Sequence, residues 1–351
     1  MQALNDLIGL FVNTDPINRL YNAHVSARNR SWPLLDTVEA ATIAYRFYVR
    51  GETKLDIAND LGISRFKVAR LLDKALEKGL VRIEFSLPAP MEIGVSEELR
   101  AAYGLRNVLV LERANRTESR PELRQRIGAL AAQLLSDIAT EDDVIGLSWA
   151  RSVNVMTEHI RALPRCPIVQ LCGVHARTDR RDRSVETVSR LAGVSGGEAY
   201  PIYAPLVLPD RRTTNILRRQ PGIVETFRRF RDLTKAVVSI GAWQAGESTV
   251  YDALPEAERD SIARRGAIAE MTALLFDADG NALDTGLSHH VLAISHEELR
   301  RVPEVIAIGY TTPKAEAVDA VLRSGMVTTL VTDHDTALRV LELAERRPPR
   351  T

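Results

Sequence analysis

The chain has 351 residues, 45% hydrophobic and 26% charged, with a formal net charge of zero. That composition excludes a disordered chain, and the length exceeds what one ordinary domain needs. With no net charge there is no global field to draw in nucleic acid, so any such attraction must come from a local patch.

Residues 1–35 read as an N-terminal extension without an assigned role. The stretch "MQALNDLIGLFVNTD" has no basic start and carries Asp6 inside its apolar run, unlike a secretory leader. No segment approaches the roughly 20 apolar residues that cross a bilayer. Leu4, Leu7, Ile8 and Phe11 follow helical spacing, which suits a partner-facing stripe or a frayed terminal helix. Residues 28–36 read as a linker, with Pro33 stopping any helix before it.

A helix is predicted over 37–50, with Val38, Ala41, Ala44, Tyr45 and Tyr48 on its apolar side and Gly51 at its end. Thr53 caps a second helix whose apolar face is Ile57, Ala58 and Leu61. Gly62 supplies a turn conformation that a β-carbon disfavours, and Ile63 fills the angle. Ser64 caps a third helix with Val68, Leu71, Leu72 and Ala75 as its buried face. Gly79 closes it, and "LVRIEF" (80–85) reads as a short strand, a wing. Between 64 and 82 stand six basic residues (Arg65, Lys67, Arg70, Lys74, Lys78, Arg82) and two acidic ones (Asp73, Glu77). A small residue at 58, a turn glycine and a basic outer face together describe a helix-turn-helix over 36–88, with its third helix placed for the DNA major groove. The bland alternative is a helical pair with a solvated charged face. The candidate DNA-contacting residues are Thr53, Ser64, Arg65, Phe66, Lys67, Arg70 and Lys74.

The remaining segment, 89–346, reads as α/β. A joining helix lies near 96–103. Strands are predicted at 107–111, 143–148, 167–173, 235–241, 273–280, 305–309 and 327–333. Helices are predicted at 121–139, 151–162, 184–194, 215–231, 255–265, 313–324 and 334–346. Such alternation describes a mostly parallel sheet flanked by helices, with ligands held beyond the C-terminal strand ends. In "VIGLSWARSVNVM" a strand runs through Gly146, Ser148, Ala150 and Ser152 into a helix start, where backbone N–H groups and Arg151 suit an anion or a polyol oxygen. Arg151 pairing with a surface carboxylate is the alternative. No Walker motif and no G-x-G-x-x-G is present.

"FDADGNALD" (276–284) invites a calcium reading, but it lacks the final glutamate and flanking helices of an EF-hand, and Asp-Gly is a common turn. His289 and His290 are adjacent, without the spacing of helical zinc ligands. Cys166 and Cys172, the only cysteines, fit two buried thiols in a reducing, cytoplasmic compartment; a redox pair or half a metal site is the alternative. No cofactor, metal or catalytic set is expected.

A helix-turn-helix followed by "GLSWARSV", and then by "GAIAEMTALLFDADGNALDTGLSHHVLAISHEELRRVPEVIAIGYTTPKAEAVDAVLRSGMVTTLVTD", resembles the SorC family of sugar-responsive transcriptional regulators over about 36–345. The resemblance implies a Rossmann-like effector domain similar to sugar-phosphate isomerases, used as a sensor. It also implies a sugar, polyol or sugar-phosphate effector, operator DNA as partner, and a homo-oligomer, commonly a tetramer. By the same resemblance the turn Ser148–Ser152, with Trp149, wraps effector oxygens. Glu270 faces effector hydroxyls, Lys314 faces an anionic end, and Gln170, Cys172 and Gly173 line the pocket. The chain departs from the family at Ala150, where glycine is frequent, and at Tyr310–Pro313, where Gly-Gly tends to precede the lysine. An uncharged sugar or polyol therefore stands beside a phosphorylated one. The competing function is a sugar-phosphate isomerase-like enzyme with a DNA-binding appendage. It would need an acid–base set, for which the only nominees are Glu270 and Lys314.

Overall fold

The computed structural model describes residues 33–83, 87, 89–115, 117–174 and 184–346. The chain divides into two compact units, Met1–Ser86 and Leu87–Thr351.

In the first unit, α1 (Leu34–Ala44) continues into one π-helical turn, Tyr45–Val49. It starts three residues earlier than its spacing predicts. Pro33 occupies the N-cap, where a missing N–H costs nothing, and its carbonyl accepts from Thr37 N at 3.0 Å. Thr53 and Asp56 form a capping box at the start of α2 (Lys54–Leu61). Gly62 ends that helix at φ 63°, and Ser64 caps α3 (Arg65–Glu77). The core is Ala40, Ile43 and Ala44 against Ile57, Ala58, Val68, Leu71, Leu72 and Ala75, with Ile63 packed on its rim.

Of the expected inner stripe of α1 only Ala44 is in the core. Val38 and Tyr45 are 52% and 56% exposed, Ala41 is exposed, and Leu61 of α2 is 39% exposed. Ala40, Ile43, Ala44 and Phe47 repeat with the same helical spacing. That stripe, one residue round from the expected one, puts Ile43 and the small Ala40 and Ala44 against α3 and leaves the tyrosines outside. Residues 80–83 form no strand, and the rest of the expected wing lies outside the described residues, as does the extension before residue 33.

The second unit opens with α4 (Ile93–Tyr103), β1 (Asn107–Leu111), α5 (Arg120–Ile138), β2 (Ile145–Leu147), α6 (Arg151–His159) and β3 (Ile168–Gln170). It continues with α7 (Ser184–Ser195), β4 (Ala199–Tyr200), α8 (Arg211–Leu217), α9 (Ile223–Arg229), β5 (Lys235–Ala242), α10 (Thr249–Ala253) and α11 (Glu256–Arg264). It closes with β6 (Ala269–Met271), β7 (Leu274–Phe276), α12 (His296–Arg300), β8 (Glu304–Ile308), α13 (Ala315–Arg323), β9 (Thr329–Asp333) and α14 (His334–Glu345). The single helix expected over 215–231 is two, broken at Pro221 and Gly222, whose φ is 86°. The strand expected at 273–280 shortens to β7, which pairs antiparallel with β6.

The sheet order is β1-β9-β8-β5-β2-β3-β4, all parallel, with β6 joined antiparallel to the end of β5. Alternate residues of the central strands feed two cores. Ala236, Val238, Val305 and Ala307 face one layer of helices. Val237, Ile306, Ile308 and Val331 face the other, where Ile127, Leu135, Val153 and Met156 meet them. Burial on both faces is why these strands are continuously apolar.

The 276–284 stretch is a turn. Asp277 Oδ1 accepts from Asp279 N (2.9 Å) and Asn281 N (2.8 Å). Among the described residues no acidic, histidine or cysteine group could hold a metal ion. At Gly280, φ is 79° and a β-carbon would lie 2.5 Å from Ala320 O and 2.7 Å from Ser324 N. Gly280→Ala should therefore lower the chemical-denaturation stability by roughly 2 kcal/mol or more. An unchanged midpoint would mean that the turn does not pack against the end of α13.

Candidate functional site

The first unit presents a basic helix. Arg65, Phe66 and Arg70 project from α3 into solvent, and Phe66 is 88% exposed. Lys74 is exposed in the last turn, where a cation complements the helix dipole. Lys67 is engaged within the unit, its Nζ lying 2.7 Å from Glu39 Oε1 of α1. Thr53 and Ser64 serve as helix caps, accepting from Asp56 N (3.2 Å) and Lys67 N (3.1 Å).

The second unit contains a cleft fixed by strand order. From β2 the chain proceeds to β3 on one side, whereas β5 pairs with β2 on the other and leads to β8. The C-terminal ends of β2 and β5 therefore open at a topological switch point. Ser148–Ser152 line the cleft on the β2 side, and Ser239, Ile240 and Gly241 on the β5 side. Ala150 is the N-cap of α6 and brings no side-chain acceptor to that helix's first N–H groups. Ser148 Oγ and Thr311 Oγ1 are buried in the wall without a hydrogen-bond partner. Thr311 is held at φ 74°, a costly conformation for a β-branched residue.

Two ionisable groups stand in the wall, Glu270 buried and Lys314 half-buried. Glu270 is 6% exposed and accepts from Ser248 Oγ (3.0 Å) and Ala273 N (3.3 Å). Burial pushes its carboxyl pKa up, partly opposed by those hydrogen bonds and by the charge of Lys314. Lys314 Nζ donates to Ile240 O at 3.1 Å, and burial pushes its pKa down against the pull of Glu247 and Glu270. The two make no ion pair among the described residues, so each remains a desolvated group within reach of a ligand. Toward the mouth, Arg120 pairs with Glu247 (2.6 Å) and Arg124 Nε donates to Tyr310 Oη (2.9 Å).

Of the residues nominated from sequence, Ser148, Trp149, Ala150, Arg151, Ser152, Cys172, Glu270 and Lys314 line this one cleft. Gly146, Gln170 and Gly173 do not. Gly146 lies under Leu171 and Leu233, where a β-carbon would come within 2.6 Å of Leu171 Cδ2. Gln170 is used internally, accepting from Ile202 N (3.0 Å) and donating to Cys172 O (2.7 Å). Gly173 permits close backbone approach, its would-be β-carbon standing 2.7 Å from Ala204 O. Arg151 has no carboxylate partner among the described ion pairs, which leaves it exposed at the cleft.

A model of sugar-binding domains matches residues 91–342. The chain belongs to the SorC-type sugar-binding-domain family. A transcriptional regulator LsrR from Klebsiella pneumoniae is 27% identical over 309 residues, covering 87% of this chain and 93% of that protein. The sorbitol operon regulator of Klebsiella pneumoniae is 24% identical over 307 residues, covering 86% and 96%. The crystal structure of full-length SorC from the same organism superposes with a TM-score of 0.66 at 22% identity, covering 87% of this chain and 99% of that one.

In this SorC-type chain the cleft residues that motif reading missed are chiefly Arg120, Arg124, Glu247 and Ser248. They come from the first turns of α5 and from the loop after β5, segments with no motif of their own. Only the rule that both strands flanking a switch point contribute their following loops would have pointed to 246–250.

Burial raises the Glu270 pKa above the unfolded carboxylate value of about 4.3. Its favourable contribution is thus present below that pH and lost as pH rises through the folded pKa. Glu270→Gln, which mimics the protonated form, should raise Tm at pH 7–8, and the gain should fade toward pH ~4.3. Scanning calorimetry across that range checks it; a Tm lowered equally at both ends would show that the carboxylate is favourably solvated.

Proposed function

We propose that this protein is a cytoplasmic, DNA-binding transcriptional regulator of carbohydrate or polyol catabolic genes, whose operator affinity is set by a small effector held in the cleft. In this reading residues 36–88 bind operator DNA and residues 89–346 bind the effector. The cleft acts as a sensor and performs no catalysis. The observation that carries the reading is the convergence of polar and ionisable side chains at the switch point. Ser148 and Thr311 offer buried hydroxyls, Glu270 a carboxylate for sugar hydroxyls, and Lys314 a cation for an anionic end. Membership of the sugar-binding-domain family and relatives named as operon regulators support it. No helix among the described residues is long and apolar enough to cross a membrane.

The lining carries four cationic side chains, Arg120, Arg124, Arg151 and Lys314, against the carboxylates of Glu247 and Glu270. That surplus favours a phosphorylated or otherwise anionic effector over the neutral polyol that Ala150 and Tyr310–Pro313 left open. Arg120 and Arg124 stand on the cleft lining beside Glu247 and Tyr310. The effector acts on DNA binding only through unequal affinity for two conformations.

Arg65→Ala and Arg70→Ala should each weaken operator binding, by roughly 1–3 kcal/mol where the side chain reads a base, and binding should fall steeply with salt. Fluorescence anisotropy at matched salt measures this, and wild-type affinity in the double mutant would sink the DNA-binding assignment. One helix-turn-helix covers few base pairs, so the free protein should be a homodimer or homotetramer. A clean monomer by light scattering at micromolar concentration would count against that assembly.

Glu270→Gln and Lys314→Ala should keep basal DNA binding near wild type and lose the response to effector. Thermal-shift screening of sugars, polyols and their phosphates identifies the effector, since a ligand of the native state raises Tm by mass action. Titration of the protein–DNA complex then decides. A wild-type dose response in Lys314→Ala would remove that lysine from the site.

A further inference from the structure

The outward side of α3 carries an apolar residue that attraction to phosphates does not explain. Successive residues of a helix step by about 100°, so the side opposite the buried Val68, Leu71, Leu72 and Ala75 is centred near Phe66 and Arg70. Phe66 is 88% exposed, more than any other large apolar side chain among the described residues. It stands in the first turn, one residue after Arg65 and four before Arg70. Neither arginine makes an ion pair among the described residues, whereas Lys67 is held by Glu39. A lone exposed aromatic is ordinary on a protein surface. This one lies between two free guanidinium groups, in the turn of a recognition helix that meets base edges.

The chemistry of that face leaves one task without a polar side chain. Arginine pairs with O6 and N7 of guanine, and Arg65 and Arg70 can supply that contact. Carboxylates accept from the amino group of cytosine, the other member of the same pair, and Asp73 and Glu77 stand two or more turns further on. Adenine is read by the side-chain amide of asparagine or glutamine, and α3 contains neither. An A·T pair therefore offers this helix one distinctive handle, the thymine C5 methyl group that projects into the major groove. Ala69, the other apolar residue near this face in the first two turns, is short and half-buried. Insertion between base pairs, another use of an exposed aromatic on DNA, belongs to minor-groove binders.

We propose that Phe66 selects thymine in the operator: its ring packs on the C5 methyl of one thymine in each half-site, beside bases read by Arg65 or Arg70. This rests on the DNA-binding role argued above for residues 36–88 and adds the base that the helix selects. Contact removes ring and methyl from water together, and uracil or cytosine at the same place offers no apolar partner. The arginines and lysines keep their phosphate contacts whichever base stands there. Phe66 thus supplies discrimination, and the cations supply the salt-dependent attraction.

Selection of binding sequences from a random duplex library by the full-length protein supplies the DNA for the test. The selected consensus should contain an invariant thymine in each half-site. Fluorescence anisotropy then compares that duplex with copies in which deoxyuridine replaces each invariant thymine in turn, which deletes only the methyl group. At one position per half-site the wild type should bind the uracil duplex about fourfold weaker, the loss expected for one methyl group no longer buried. Phe66→Ala, checked for folding by circular dichroism, should bind the thymine duplex weaker by at least that factor and no longer distinguish thymine from uracil. The salt dependence of the two proteins should be the same. Undiminished wild-type affinity at every uracil position, or a methyl dependence that survives in Phe66→Ala, would overturn the proposal and leave the DNA-binding role standing. Failure to enrich any sequence would defeat the DNA-binding role itself and the proposal with it. A changed oligomeric state of Phe66→Ala in light scattering would also overturn it, by assigning the ring to a contact between copies of the chain.

Discussion

One strand, β5, is longer than its neighbours allow, and the effector unit is arranged around that excess. Its residues Lys235–Ser239 pair in parallel with β8, and Lys235–Val237 with β2. Ile240–Ala242 run past both partners and pair antiparallel with β6 instead. A strand that changes partner and direction in this way carries a hairpin out over the C-terminal edge of the sheet. Gly241 sits opposite Glu270, where a β-carbon would stand 2.5 Å from Glu270 Oε1. The carbonyl of Ile240, next to it, takes Lys314. The overhang thus places both buried ionisable groups of the cleft, and a shorter β5 would leave neither with a support.

Those groups are expensive to keep. A buried carboxylate or ammonium that lacks a close counter-ion costs stability, and a well-packed apolar substitute would do better for the fold alone. Glu270 and Lys314 both shift toward their neutral forms, the carboxyl upward and the ammonium downward, because burial outweighs their mutual attraction. A structural ion pair, the bland explanation of the two, would have closed the gap between them. The sheet holds them apart, so their polarity faces the cleft. Such sites are where local rules are broken for binding rather than stability.

Strand and helix periodicity made most of this architecture readable in advance, and the failures have local causes. β1 matches its predicted bounds because "NVLVL" is apolar throughout and flanked by polar residues. β6 was missed because three residues are too few to show a period, and "AEM" has a carboxylate in the middle. The helix expected over 215–231 ignored Pro221-Gly222, a break visible in the chain itself. In α1 two overlapping stripes that share Ala44 have the same spacing, so periodicity alone did not separate the one through Tyr45 and Tyr48 from the one through Ile43 and Phe47 that the core uses. Most residues of the strand-to-helix motif line the cleft, since a strand end followed by a helix start has a local signature. Gly146, Gln170 and Gly173 carried no such distinction between lining a space and packing a wall. Ser248 and Arg124 come from segments whose proximity depends on strand order, which no local pattern encodes.

The turn between β6 and β7 concentrates the stress of the whole arrangement. Thr272 and Ala273 adopt φ of 55° and 65°, left-handed conformations for which neither has the freedom of glycine. Each costs of order 1 kcal/mol or more, and such strain persists only where the surroundings over-determine it. Here the surroundings are Glu270 Oε2, which accepts from Ala273 N, and the apolar cluster in which Ala273 and Leu275 are buried. Thr272 itself lines the cleft, beside Glu270. The strained turn is therefore part of the cleft wall, as is Thr311 at φ 74°. A carboxylate that changes hydrogen-bond partners there changes what holds the turn. A wall already near the limit of what its contacts sustain is the part of the fold where a small ligand's binding energy can select between two arrangements.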